Sequence, residues 1–133
     1  MGGSLNFSTP CWLQINHELF INGIVASESL YRLLGILGEK SPMSVAKSGQ
    51  IRQTLDKHQT SKLLSGFNFL NISKSAVIHA IDLMKNHNLL PNDALILSTC
   101  KLTTIAILAS YDSDFRKACQ KEGIRLIKSV EDL

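Results

Sequence analysis

The chain has 133 residues, of which 14 are Lys or Arg and 11 Asp or Glu, giving a formal net charge of +3 and a sequence pI of about 8.8. Hydrophobic residues make up 44% and charged residues 19%, a balance that excludes a disordered tail and predicts one compact domain with its own core. No apolar run approaches the ~18–20 residues of a membrane span, and no basic-then-apolar leader opens the chain.

The three cysteines, Cys11, Cys100 and Cys119, lack CxxC spacing and suit a reducing, cytoplasmic setting as buried thiols rather than metal ligands. The mild positive charge allows a polyanion to approach without identifying one.

In chain order, residues 1–18 form no regular pattern: Leu5, Phe7, Trp12, Leu13 and Ile15 are apolar, but Pro10 interrupts them. Residues 19–26 are a short β-branched run that reads as a buried strand. Ser27 then caps a helix in which Leu30, Leu33, Leu34 and Leu37 recur at helical spacing, and Gly38 ends it. Pro42 suits a first helical turn. The polar, basic stretch from there to Leu64 fits one helix broken near Gly49 or two short ones. Residues 67–72 alternate with period two, as a strand does.

Ser73 caps an amphipathic helix with Ala76, Val77, Ala80, Ile81 and Met84 on one face. Pro91 starts another, apolar almost all round and hence buried. Residues 104–109 read as a buried strand, 113–122 as a helix closed by Gly123, and 124–127 as a final strand. Strands alternating with helices predict an α/β fold whose sheet is at least partly parallel.

In such sheets ligands bind beyond the carboxyl ends of the strands. Glu28 follows the strand at 19–26, Asp112 and Asp114 follow that at 104–109, and Asp93 lies in the first turn of the buried helix. On neighbouring parallel strands these four carboxylates converge. Their repulsion is relieved by a hard divalent cation, which takes carboxylate, water and phosphate oxygens and activates water for phosphodiester hydrolysis. The plainer account is that each acid caps a helix and complements its dipole. Asp93 fits that account least, because it opens an otherwise apolar helix.

The run Leu89-Leu90-Pro91-Asn92-Asp93-Ala94-Leu95-Ile96-Leu97-Ser98-Thr99-Cys100 resembles the PIN-domain motif in which an Asp-Ala pair opens a buried helix. Ile107-Leu108-Ala109-Ser110-Tyr111-Asp112-Ser113-Asp114-Phe115 resembles the later strand of that family with its Thr/Ser-x-Asp-x-Asp-Phe ending, and Ile124–Ile127 the short closing strand. Gly23-Ile24-Val25-Ala26-Ser27-Glu28-Ser29-Leu30-Tyr31 is similar to the segment carrying the family's helix glutamate. The likeness covers roughly residues 19–128 of a single domain spanning 1–133.

The resemblance implies a three-layer α/β fold with a mostly parallel central sheet flanked by helices and strand order 3-2-1-4-5. It also implies a Mg²⁺ or Mn²⁺ site and an RNA substrate. On this chain Glu28, Asp93 and Asp112 would be the catalytic metal ligands, with Asp114 a further ligand, direct or through water. Many small prokaryotic members, of the VapC type, are toxins of toxin–antitoxin pairs and commonly dimerise, so an antitoxin and a second copy are the expected protein partners. The chain departs from the pattern at its start. PIN domains open with a strand ending in a metal-anchoring Asp, whereas no acidic residue here precedes Glu18. Phe7-Ser8-Thr9 stands in that place without the charge, so the chain reads as shortened at its beginning.

Other polar residues carry less. His17, His58, His79 and His87 have no metal-ligand spacing with one another. Lys47, Arg52, Lys57 and Lys62 offer either an RNA path or, as the plainer account, a solvated helix face, and Trp12 and Tyr31 read as packing residues. Arg116 and Lys117, just past the acids, are better placed to meet an RNA backbone. The readings in competition are a metal-dependent ribonuclease, a fold that has lost its chemistry and serves as a binding module, and an unrelated α/β protein with receiver- or phosphatase-like acids.

Overall fold

A computed structural model of the chain describes residues 18–132. Expectations for the N-terminus, including Phe7-Ser8-Thr9, Cys11, Trp12 and His17, lie outside the described residues. The described chain forms two compact units, one of residues 20–71 and one comprising residues 72–132 with 18–19. No described helix is long and apolar enough to cross a membrane.

The first unit opens with strand β1 (Phe20–Asn22), which pairs in parallel with β2 (Asn68–Leu70) in the register Phe20↔Asn68. Between them run helices α1 (Gly23–Gly38), α2 (Pro42–Lys47), α3 (Ile51–Lys57) and α4 (Thr60–Leu64). The strand expected over 19–26 therefore stops early. The buried Asn22 side chain accepts the Val25 N–H at 3.0 Å and starts the helix there, a cap that overrides the β-preference of Ile24 and Val25. Ser41 caps α2 in the same way, by accepting from Ser44 N–H. The basic stretch forms three short helices, where one or two were expected. Val45 is fully buried at the centre of this unit, and Gly38 lets it in: a Cβ there would meet Val45 Cγ2 at 2.7 Å. Tyr31, expected to pack, is 62% exposed.

The second unit is built on α5 (Lys74–His87) packed along α6 (Pro91–Leu102). Ser73 caps α5 as expected, its Oγ accepting the Ala76 N–H at 3.1 Å. The contact face of α5 differs from the one the pattern suggested. Ala76, Ala80 and Leu83 are buried, while Val77 and Ile81 face out. The alanine row admits a closer neighbour than the Val/Ile row, and Ser98 of α6 uses that closeness to donate its hydroxyl to Ala76 O at 2.7 Å, in a buried position. Leu83 and Leu97 are almost fully buried, each contributing about 1.5–3 kcal/mol of transfer free energy.

Strand β3 (Ile107–Ala109) then pairs in parallel with β4 (Arg125–Ile127), with α7 (Phe115–Glu122) between them in sequence. A single 3₁₀ turn (Val130–Asp132) closes the described chain. The α/β class and the parallel pairing match the sequence reading; among the described residues the strands form two pairs, β1–β2 and β3–β4. Strand β3 starts three residues later than expected because α6 runs on to Leu102 and Thr104 adopts φ +56°. With one hydrogen-bonded neighbour it is half-buried, and Ala109 is exposed. Gly123 ends α7 at φ +74°, a left-handed conformation that glycine adopts without strain.

The end of α5 is tied to the end of α7. His87 Nε2 donates to Glu122 Oε2 at 2.7 Å, and Lys101 Nζ donates to the Glu122 carbonyl at 2.7 Å. The His87 hydrogen bond, helped by the charges of His87, Lys101 and His79, holds the Glu122 carboxyl below its ordinary value. His79 Nε2 is buried without a hydrogen-bond partner among the described residues.

Three outcomes follow from this packing. Gly38→Ala lowers stability by about 1 kcal/mol net, because displacing a stiff Val45 outweighs the alanine's helix preference; Val45→Ala in the same chain cancels part of the loss in a denaturant titration. Thr104→Gly raises stability by roughly 0.5–1 kcal/mol, since a β-branched residue in the left-handed region is strained. A depressed Glu122 contributes stability that is complete above the unfolded carboxyl value and lost as pH falls through the lower folded one. Glu122→Gln therefore flattens the acid side of the melting-temperature profile below about pH 4.5, and an unchanged acid limb would show that the pair contributes nothing.

Candidate functional site

The carboxyl end of β3 carries the densest group of chemically useful side chains. Ser110 N–H donates to Ile127 O at 2.9 Å, which anchors the chain to β4 as it leaves the strand. The Ser110 hydroxyl oxygen accepts the Asp112 N–H at 3.0 Å, and Asp112 Oδ1 in turn accepts the Asp114 N–H at 2.9 Å. Phe115, buried behind this loop, pins the start of α7. The loop thus holds the Asp112 carboxylate by one oxygen in an exposed position. Asp114 occupies the N-cap of α7 without a side-chain cap bond, and Arg116 and Lys117 are exposed in the first turn of that helix.

Asp93 is the third residue of α6, half-buried in its first turn behind Pro91. It belongs to the same unit as Asp112 and Asp114. Glu28 belongs to the other unit. Because α1 begins at Gly23, Glu28 lies exposed in the second turn of that helix, not directly behind a strand as expected. Among the described residues no three His, Cys, Asp or Glu side chains are grouped closely enough to hold a metal ion. The acids are oxygen donors only, the chemistry that a hard divalent cation accepts.

The other candidates behave structurally. Burial, with Cys119 nearby, pushes the Cys100 thiol up to about 11, and burial raises Cys119 as well. Thiols so disfavoured as thiolates are packing groups and not nucleophiles. His87 serves Glu122. Sequence reasoning missed Tyr111, which is 83% exposed between Ser110 and Asp112. Its place directly after a strand and directly before the acids was the available signal, because an aromatic residue there has nothing to pack on.

The sequence profile of the PIN domain matches residues 10–121. The chain is similar to Ribonuclease VapC2 of Methanocaldococcus jannaschii, 37% identical over 98 residues; the match covers 74% of this chain and 66% of that relative, slightly under two thirds of its length. It is also similar to Ribonuclease VapC6 of the same organism, 31% identical over 122 residues, covering 83% of this chain and 76% of the relative. No solved structure matches significantly. A profile match over most of the chain, joined to these two likenesses, places the chain in the PIN-domain family as a VapC-like member.

Proposed function

We propose that this chain is a divalent-metal-dependent ribonuclease that hydrolyses RNA phosphodiester bonds, and the toxin of a toxin–antitoxin pair. The observation that carries the reading is its likeness to relatives named ribonucleases, in a chain whose exposed Asp112 is oriented by its own loop at the carboxyl end of β3. Asp93 and Asp112 would hold Mg²⁺ or Mn²⁺, with Asp114 a further ligand, direct or through water. Since no three such groups assemble among the described residues, waters and a substrate phosphate would complete the shell, as Mg²⁺ commonly requires. When bound, the ion supplies an activated water and stabilises charge developing on the phosphodiester.

The chain's own residues do the rest. The Asp114 N–H and the Ser110 hydroxyl keep the Asp112 carboxylate in one orientation. Arg116 and Lys117 meet the RNA phosphates, and Tyr111 offers a face on which a base can stack. The exposed stripe Val77, Ile78 and Ile81 on α5 supports a protein partner, an antitoxin or a second copy. That no three carboxylates assemble among the described residues favours a second reading, in which the fold is kept for binding without chemistry.

Cleavage of a panel of labelled RNAs separates the two. With Mn²⁺ the wild type cuts and EDTA abolishes cutting. Asp93→Asn and Asp112→Asn each lower the rate at least about a hundredfold, with melting temperatures preserved in the metal-free state. A folded wild type that neither cuts nor gains melting temperature with Mn²⁺ would sink the nuclease reading and leave the binding module.

A further inference from the structure

The net charge of this chain belongs to one unit. Residues 20–71 hold Arg32, Lys40, Lys47, Arg52, Lys57 and Lys62 against Glu28, Glu39 and Asp56, a balance of +3 that equals that of the whole chain; the remaining residues carry eight cations and eight acids. Within the unit the charge is concentrated further. Residues 40–62, which span α2, α3 and α4, contain five cations and only Asp56 to oppose them, for a balance of +4.

Lys40 donates to Ser48 Oγ at 3.3 Å. The other four, Lys47, Arg52, Lys57 and Lys62, are all exposed and none is ion-paired among the described residues.

Helix physics accounts for part of this. Lys47, Lys57 and Lys62 each sit in the last turn of a short helix, where a cation is favoured by about 0.3–1 kcal/mol. The same dipole favours acids in first turns, however, and α2, α3 and α4 have none there. Arg52 stands at the second position of α3, the end where a cation is disfavoured. A surface evolved only to be solvated interleaves both signs and gains from i,i+4 pairs. Three successive helices that each end on a cation, one of which also carries one in its first turn, and that hold Asp56 as their only acid are arranged for an external polyanion.

We propose that α2–α4 form a surface that grips the RNA backbone without reading its sequence, with Lys47, Arg52, Lys57 and Lys62 as the phosphate contacts. The assignment rests on the ribonuclease reading above and adds to it a binding surface separate from Arg116 and Lys117. Contacts of this kind supply affinity through counterion release, so their signature is salt dependence: for single strands each contributes about 0.7 to the slope of log K against log salt.

The test is fluorescence polarisation of a labelled single-stranded RNA in EDTA, where binding is measured without cleavage. Replacing the four residues together by Gln is expected to weaken binding at least tenfold at low salt and to flatten the salt slope by about two to three. Lys47→Arg with Lys57→Arg and Lys62→Arg, which keeps the charge, is expected to bind as the wild type does. A control chain with Lys74, Lys85, Lys121 and Lys128 changed to Gln loses the same charge from the other unit. Equal weakening by the control would reduce the effect to net charge and overturn the surface. Unchanged affinity in the first variant, or no RNA binding by the wild type, would overturn it too and leave the cations to an acidic protein partner. Cleavage by the wild type, measured separately with Mn²⁺, reports on the nuclease reading whichever way the binding falls.

Discussion

The close approach of α5 to α6 is the constraint on which the second unit depends. Ala76 and Ala80 on one helix and Ala94 and Ser98 on the other are all buried, and side chains this small permit the Ser98 hydroxyl to reach the Ala76 carbonyl. A buried hydroxyl without such a partner costs about 1–3 kcal/mol, so the bond makes the small-residue interface specific as well as close. With α6 buried over Ala94 and Ile96 to Cys100, its first turn is held firmly, and Asp93 with it. A carboxylate on a helix end that cannot shift is a better ligand than one on a loop, because little ordering remains to be done on binding.

A different device orients the acids behind β3. Here the backbone does the positioning, through Ser110, Asp112 and Asp114, while Phe115 and the β4 contact fix the two ends of the loop. The arrangement leaves Asp112 solvent-exposed. Polar pairing among His87, Lys101 and Glu122, by contrast, binds α5, α6 and α7 together.

Electrostatics divides along the same lines as the packing. The residues outside 20–71 set eight cations against eight acids and include Asp93, Asp112 and Asp114, the three acids expected to do chemistry there. The unit of residues 20–71 carries the excess cations.

Much of this was written locally. Ser73 as a cap, Pro42 and Pro91 at first helical turns, Gly123 at a left-handed stop, and the Asp-Ala and Ser-x-Asp-x-Asp-Phe runs are all short-range signals, since each depends on residues within about one turn of itself. They set the order of elements and the place of Asp93, Asp112 and Asp114. The structure decided what depends on contact across the chain. Ile24 and Val25 joined a helix because the buried Asn22 caps it. The inner face of α5 became Ala76, Ala80 and Leu83 because α6 needed room. Strand β3 shortened because α6 ran on and Thr104 turned. Periodicity records which residues are apolar but leaves open which of two adjacent apolar rows meets a neighbour; shape and hydrogen bonding between elements make that choice, and only the folded chain contains them.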